Sequence, residues 1–171
     1  MSNRIIKKID PERMLKGRIA ETLVEQLLRK SGNEVYRFGY EAIMQNLVQI
    51  KETFAKHGST AEQISTIPDF IVINSKREPF FVEVKFRRNG ELFDTDMKRF
   101  KLINQFWKAK IILVNGVKKP FFEVVSAPYF DAQERIISKP LLEEATWEVK
   151  PETYAEFEDL VEKYLIPAFQ S

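Results

Sequence analysis

The chain of 171 residues has no cysteine and one histidine, His57. The first absence excludes disulfides, thiolate zinc sites and cysteine nucleophiles, and it fits a reducing cytoplasm. The second excludes any two-histidine metal site and makes a histidine-centred triad a poor reading. His57 instead reads as a residue at a helix exit, interacting with the last carbonyls. No apolar run approaches the roughly 20 residues that a membrane span needs. The first residues, MSNRIIKKIDPERM, are charged throughout and have no signal-peptide apolar region. Repeats, low-complexity stretches and linkers are also missing. What remains, 44% hydrophobic and 30% charged residues, is the composition of an ordinary globular protein. The expectation is a single domain over residues 1–171, with a core at about 10–115 and a C-terminal elaboration at about 120–171.

The net charge of +2 hides an asymmetry. Residues 76–119 carry 12 Lys/Arg against 5 Asp/Glu, whereas residues 120–171 carry 4 against 11. A polyanion is drawn to the middle of such a chain and repelled by its tail.

In chain order, Asp10-Pro11-Glu12 opens a helix, with a capping acid, a proline at the first helical position and an acid on the positive helix end. Leu15, Ile19, Leu23 and Leu27 give it an apolar face, and Gly32 stops it. Glu21 borders that face. Residues 33–40, NEVYRFGY, read as a strand. Glu41–Lys56 has helical spacing, and residues 59–66 form a polar loop or short helix. Ile67–Arg88, IPDFIVINSKREPFFVEVKFRR, reads as two strands joined at Ser75–Glu78. A helix then runs to about Lys108, with Asp94 or Thr95 able to cap it. Met97, Phe100, Ile103, Phe106 and Trp107 form its apolar side. KIILVN, from Lys110 to Asn115, is another strand, and Phe121–Val125 a further one. Pro151 to about Ile166 forms a last helix with an acidic outer face.

The Ile67–Arg88 stretch carries the chemistry. Alternation puts Phe80, Val82, Val84 and Phe86 on one face of the second strand and Phe81, Glu83, Lys85 and Arg87 on the other. A hairpin with a loop of about three residues sets Asp69 opposite Glu83 or Lys85, on the same face. Two carboxylates at that separation make a hard oxygen site suited to Mg²⁺ or Mn²⁺. Such an ion polarises a phosphoryl oxygen and acidifies a bound water, and Lys85 beside it can hold that water or neutralise charge on a phosphate. The alternative is a buried Asp–Lys–Glu ion-pair group, but burying three charges for packing alone is costly.

Pro68-Asp69, then Glu83-Val84-Lys85 on the next strand, resembles the PD-(D/E)XK nuclease superfamily with its restriction-endonuclease-like fold. Gly17-Arg18-Ile19-Ala20-Glu21 is similar to the helix glutamate many members use, and Gln105 falls where several branches carry a glutamine. The pattern is most like that of archaeal Holliday-junction resolvases and related nucleases. The resemblance implies an α/β fold with an αβββαβ core, a mixed central sheet flanked by helices and a C-terminal strand and helix appendage. It implies that Asp69, Glu83 and the Val84 carbonyl bind the metal and that Lys85 activates water or stabilises the transition state. Glu21 would bind a second metal or orient a water, and Gln105 would position the site or the DNA backbone. Residues 41–66 are a long insertion relative to the resolvases.

Lys76, Arg77, Arg87, Arg88, Lys98, Lys101 and Lys108 are candidates for phosphate contacts, which position a nucleic acid without reading its sequence. Phe81, Phe93 and Phe100 read as core. The expected activity is metal-dependent cleavage of phosphodiester bonds, most simply in DNA, with RNA left open. A homodimer is the arrangement many relatives use to cut two strands. A non-catalytic nucleic-acid-binding or assembly subunit on the same fold is the alternative.

Overall fold

The computed structural model describes residues 11–38, 58–87 and 91–169. The expected helix over 41–56, His57, Arg88 and the Asn89-Gly90 turn lie outside these residues. The described chain forms α1 (Pro11–Lys30), β1 (Glu34–Arg37), α2 (Gly58–Ser65), β2 (Phe70–Ile73), β3 (Pro79–Arg87), α3 (Asp94–Phe106), β4 (Lys110–Asn115), β5 (Phe122–Val125), β6 (Lys139–Pro140) and α4 (Pro151–Leu160). The strands make one mixed sheet in the order β1-β2-β3-β4-β5-β6. Only β3 and β4 run parallel; every other neighbouring pair is antiparallel. The architecture is mixed α/β with helices flanking the sheet, and the αβββαβ order expected from the sequence is present with α2 inserted after β1.

Strand alternation splits the core in two. Val35, Phe70, Val72, Val82, Val84, Ile112, Val114, Phe122 and Val124 face α1 and α4. Ile111 and Val125 face α3 through Phe100 and Ile103. On α1 the buried stripe is Ala20, Val24, Leu27 and Leu28. Leu15, expected on that face, is exposed, because it lies a full turn or more before the first residue that meets the sheet.

The β2–β3 turn explains the register. Asn74 donates its amide to the Glu78 carbonyl at 3.1 Å, and its side-chain oxygen accepts the amides of Lys76 and Glu78. Arg77 has φ 64, the left-handed conformation that closes a three-residue hairpin loop. The resulting register pairs Phe70 with Val82 and Ile73 with Pro79, which continues to Asp69 opposite Glu83.

The C-terminal third is not an appendage. β5 and β6 extend the main sheet, and Leu141, Trp147, Tyr154, Phe157, Val161 and Leu165 belong to the same core as α1. A buried Glu144 ties this segment down. Lys110 and Lys139 reach it at 3.5 and 3.3 Å, and Thr146 donates both its amide and its hydroxyl. Burial opposes ionisation there, but the Thr146 hydroxyl, Lys110 and the Thr146 amide outweigh it and hold the Glu144 carboxyl at about 2.

Candidate active site

The site forms where one strand outruns its neighbour. β2 begins at Phe70, while β3 continues through Arg87 and pairs there with β4 alone. Pro68, buried, lies two residues before β2, next to Asp69. The Phe38 amide bonds the Asp69 carbonyl at 2.8 Å, so the backbone groups of residue 69 point at β1. By the alternation of an antiparallel ladder, those of residues 68 and 84 point at each other. Proline has no N–H to give the Val84 carbonyl. The Val84 amide donates to the Asp69 carboxylate, at 2.7 Å.

Opposite Asp69, Glu83 is 4% exposed. Arg99 of α3 donates from Nε to its Oε1 at 2.9 Å, and Nη2 makes an ion pair with the same oxygen, also at 2.9 Å. The Arg99 Nη1 donates to the Ser65 carbonyl at the end of α2, at 2.7 Å. Glu83 Oε2 is buried with no hydrogen-bond donor among the described residues. Burial, then the neighbouring Glu83 charge, raises the Asp69 pKa well above the usual carboxylate range, with Glu21 adding to the rise. Burial also raises that of Glu83, although Arg99 and Lys85 pull against it. A protonated Asp69 can donate to Glu83, so one proton shared by two carboxyls is the metal-free solution to their proximity.

Lys85, two residues on and on the same face, lies 3.0 Å from Asp96 Oδ1. Arg87 pairs with the same oxygen. Asp96 is 3% exposed, and its Oδ2 accepts the Phe93 amide at 2.9 Å. That bond caps the start of α3, a role expected of Asp94 or Thr95; the acid three residues after the cap performs it instead. Asp96 therefore joins the helix start to the lysine strand.

The remaining expected residues are placed as follows. Glu21 sits on α1, 3.7 Å from Arg37 and close enough to Asp69 to influence its charge. Gln105 is exposed and lies six residues beyond Arg99, about 9 Å further along the helix. It is not brought to the carboxylates. Lys76 and Arg77 occupy the hairpin tip, at least six residues or roughly 20 Å along the strands from the Asp69–Glu83 pair; Arg77 is engaged with Glu34. Lys98 is exposed on α3, Lys108 is exposed just beyond its end, and Lys101 pairs with Glu134 at 2.9 Å. Phe93, expected in the core, is 61% exposed, with the Arg87 guanidinium over its ring. Phe81 packs on Phe38 and Trp107, and Phe100 is buried, both as expected.

Two functional candidates went unread in the sequence, Asp96 and Arg99. The signal was there. They stand four and one residues before Phe100, on the stripe that continues to Ile103, so a buried helix face begins with two charges.

Among the described residues no three His, Asp or Glu side chains converge as a metal site. The expected carboxylate triad of Asp69, Glu83 and Glu21 is instead a pair, with Glu21 drawn towards Arg37. The pair still fits a divalent ion. It offers hard oxygens, one of them an orphaned buried Oε2. Among the described residues, no helix is long and apolar enough to cross a membrane.

No family model matches the chain, and no curated protein matches it. Among solved structures, the Holliday junction resolvase Hjc of Archaeoglobus fulgidus is similar over 82% of this chain and 98% of that chain, at 16% identity and a TM-score of 0.40. At that identity and TM-score the likeness carries no argument about what this chain does.

Proposed function

We propose that the chain is a metal-dependent nuclease of the PD-(D/E)XK type that hydrolyses phosphodiester bonds, with DNA as its substrate. Repair, recombination, restriction or mobile-element processing are the settings such an enzyme serves. The observation that carries this reading is the Asp69–Glu83 pair. Two buried carboxylates on adjacent strands, with an ammonium next along the face, cost stability that packing does not return, and such perturbed groups mark functional sites.

In this reading Asp69, Glu83 and the Val84 carbonyl hold Mg²⁺ or Mn²⁺, with Glu21 behind them. When bound, the ion supplies Lewis-acid polarisation and a more acidic water. The Val84 amide fixes the Asp69 carboxylate. Lys85, held by Asp96, neutralises charge on the reacting phosphate or orients the attacking water. Arg87, Lys98, Lys101 and Lys108 are the phosphate contacts proposed on this side of the sheet, with Lys76 and Arg77 reaching only a more distant part of a long duplex. Arg88 and Gln105 remain proposals of the sequence pattern alone.

The test is a cleavage assay over linear, nicked, branched and single-stranded DNA and RNA with Mg²⁺ or Mn²⁺, beside Lys85→Ala. Cleavage lost in the variant supports the reading; a panel left uncut by the wild-type protein sinks it. A second reading, a non-catalytic nucleic-acid-binding or assembly subunit, draws on one observation. Glu83 and Lys85 are each already neutralised, by Arg99 and Asp96. Its signature is salt-sensitive DNA binding that shows no metal dependence and is indifferent to Glu83→Gln.

A further inference from the structure

Arg99 is the charged group most completely committed to the site, and no role was expected of it. Its guanidinium is largely desolvated and is kept charged by Glu83 against the pull of burial. Two of its nitrogens converge on one oxygen, Glu83 Oε1. The other carboxylate oxygen is left without a donor, on the carboxyl group that faces Asp69. Its third nitrogen is anchored on the Ser65 carbonyl. That carbonyl belongs to α2, which Trp107 also grips through the Gln63 carbonyl at 3.3 Å.

We propose that Arg99 is a built-in counter-cation for Glu83. It occupies Oε1, keeps Oε2 presented towards Asp69, and gives up part of its hold when a divalent ion binds the carboxylate pair. The inference rests on the metal-site reading given under Proposed function. The physical basis is simple. A fixed positive charge about 3 Å from one ligand oxygen stabilises the metal-free site and repels an arriving cation. An arginine suits this place because its planar fork holds a carboxylate and a carbonyl at a fixed angle, whereas a lysine would keep the charge without that fixed geometry. Arg99 is thus a positioning residue, acting through Glu83, and it couples the 58–65 helix to the site.

The experiment is calorimetric titration of the intact protein with Mn²⁺ at pH 8, without DNA, for wild type, Arg99→Met, Arg99→Gln and Arg99→Lys. The two neutral variants are expected to bind Mn²⁺ roughly tenfold more tightly than wild type, because the competing charge is gone. Arg99→Lys keeps the charge and is expected within about twofold of wild type. Neutral variants that fold only when Mn²⁺ is present also support the coupling. Neutral variants that bind as wild type or more weakly overturn it, as does a lysine variant that tightens as much as they do. If neither neutral variant folds under any condition, the lysine variant decides alone, and a tenfold change in either direction overturns the proposal. Wild-type protein that binds no Mn²⁺ removes the metal-site reading and this inference with it. Wild-type binding with unchanged variants removes this inference only.

Discussion

Replacing Asp96 with alanine should cost the protein about 4 kcal/mol. The sum is worked from two contributions. Asp96 is the counter-charge of both Lys85 and Arg87. Removing one member of a buried ion pair costs about 3–5 kcal/mol because the charge left behind is uncompensated. The Lys85 and Arg87 side chains keep 20% and 11% of their exposure, so water relieves part of this and the lower figure, about 3 kcal/mol, applies. The Phe93 amide loses its acceptor, which adds about 1 kcal/mol as for other helix caps. At 2–4 °C per kcal/mol for a chain of this size, the midpoint of thermal unfolding should fall by roughly 8–16 °C. Circular dichroism melts at one pH measure this directly. In a Lys85→Met background the same substitution should cost at least about 1 kcal/mol less, since one of the two cations is already gone. An alanine variant within about 1 kcal/mol of wild type, or a full penalty in the methionine background, refutes the reasoning.

Asp69→Asn should abolish cleavage and yet raise stability in metal-free buffer. The folded-state pKa of Asp69 is raised, so the folded protein holds a proton that the unfolded chain releases. Its contribution is present in full below the unfolded value near 4 and is lost as pH climbs through the folded one. The asparagine gain should therefore be largest at pH 8 and vanish towards pH 4; melts across that range check it. Lys85→Ala should lower the cleavage rate by roughly 10²–10³ with DNA affinity little changed, read by single-turnover kinetics and a filter-binding titration. Glu144→Gln should cost about 1–2 kcal/mol near neutral pH. Glu144 has a depressed pKa of about 2, so its contribution is present above the unfolded value and fades as pH falls through it towards 2. The variant and wild type should then converge in acid denaturation.

The hairpin was legible because loop length and alternation narrow the register to Asp69 opposite Glu83 or Lys85, and the closing Asn74–Glu78 pair selects Glu83. The helices at either end were legible from their caps and periodicity. Gln105 was placed by resemblance alone, and it stands on the solvent face of α3. Asp96 and Arg99 stayed hidden for the opposite reason. Charges on a helix are solvated as a rule, and only the position of Phe100 and Ile103 on the same stripe reveals Asp96 as buried and Arg99 as half-buried. The integration of residues 129–149 could not be read from period, since Trp147, Leu141 and Glu144 enter the core from a 3-10 turn and irregular segments.

Pro68 contributes no functional group, yet the site depends on what it lacks. One more amide at that position would let β2 and β3 zip one rung further, gaining a hydrogen bond worth about 0.5–1.5 kcal/mol. The Val84 carbonyl would then be spent on the ladder. The more complete sheet would be the less capable protein. On the proposed metal site, a missing donor fixed by a five-membered ring would trade a little cohesion for the gap that the ion needs.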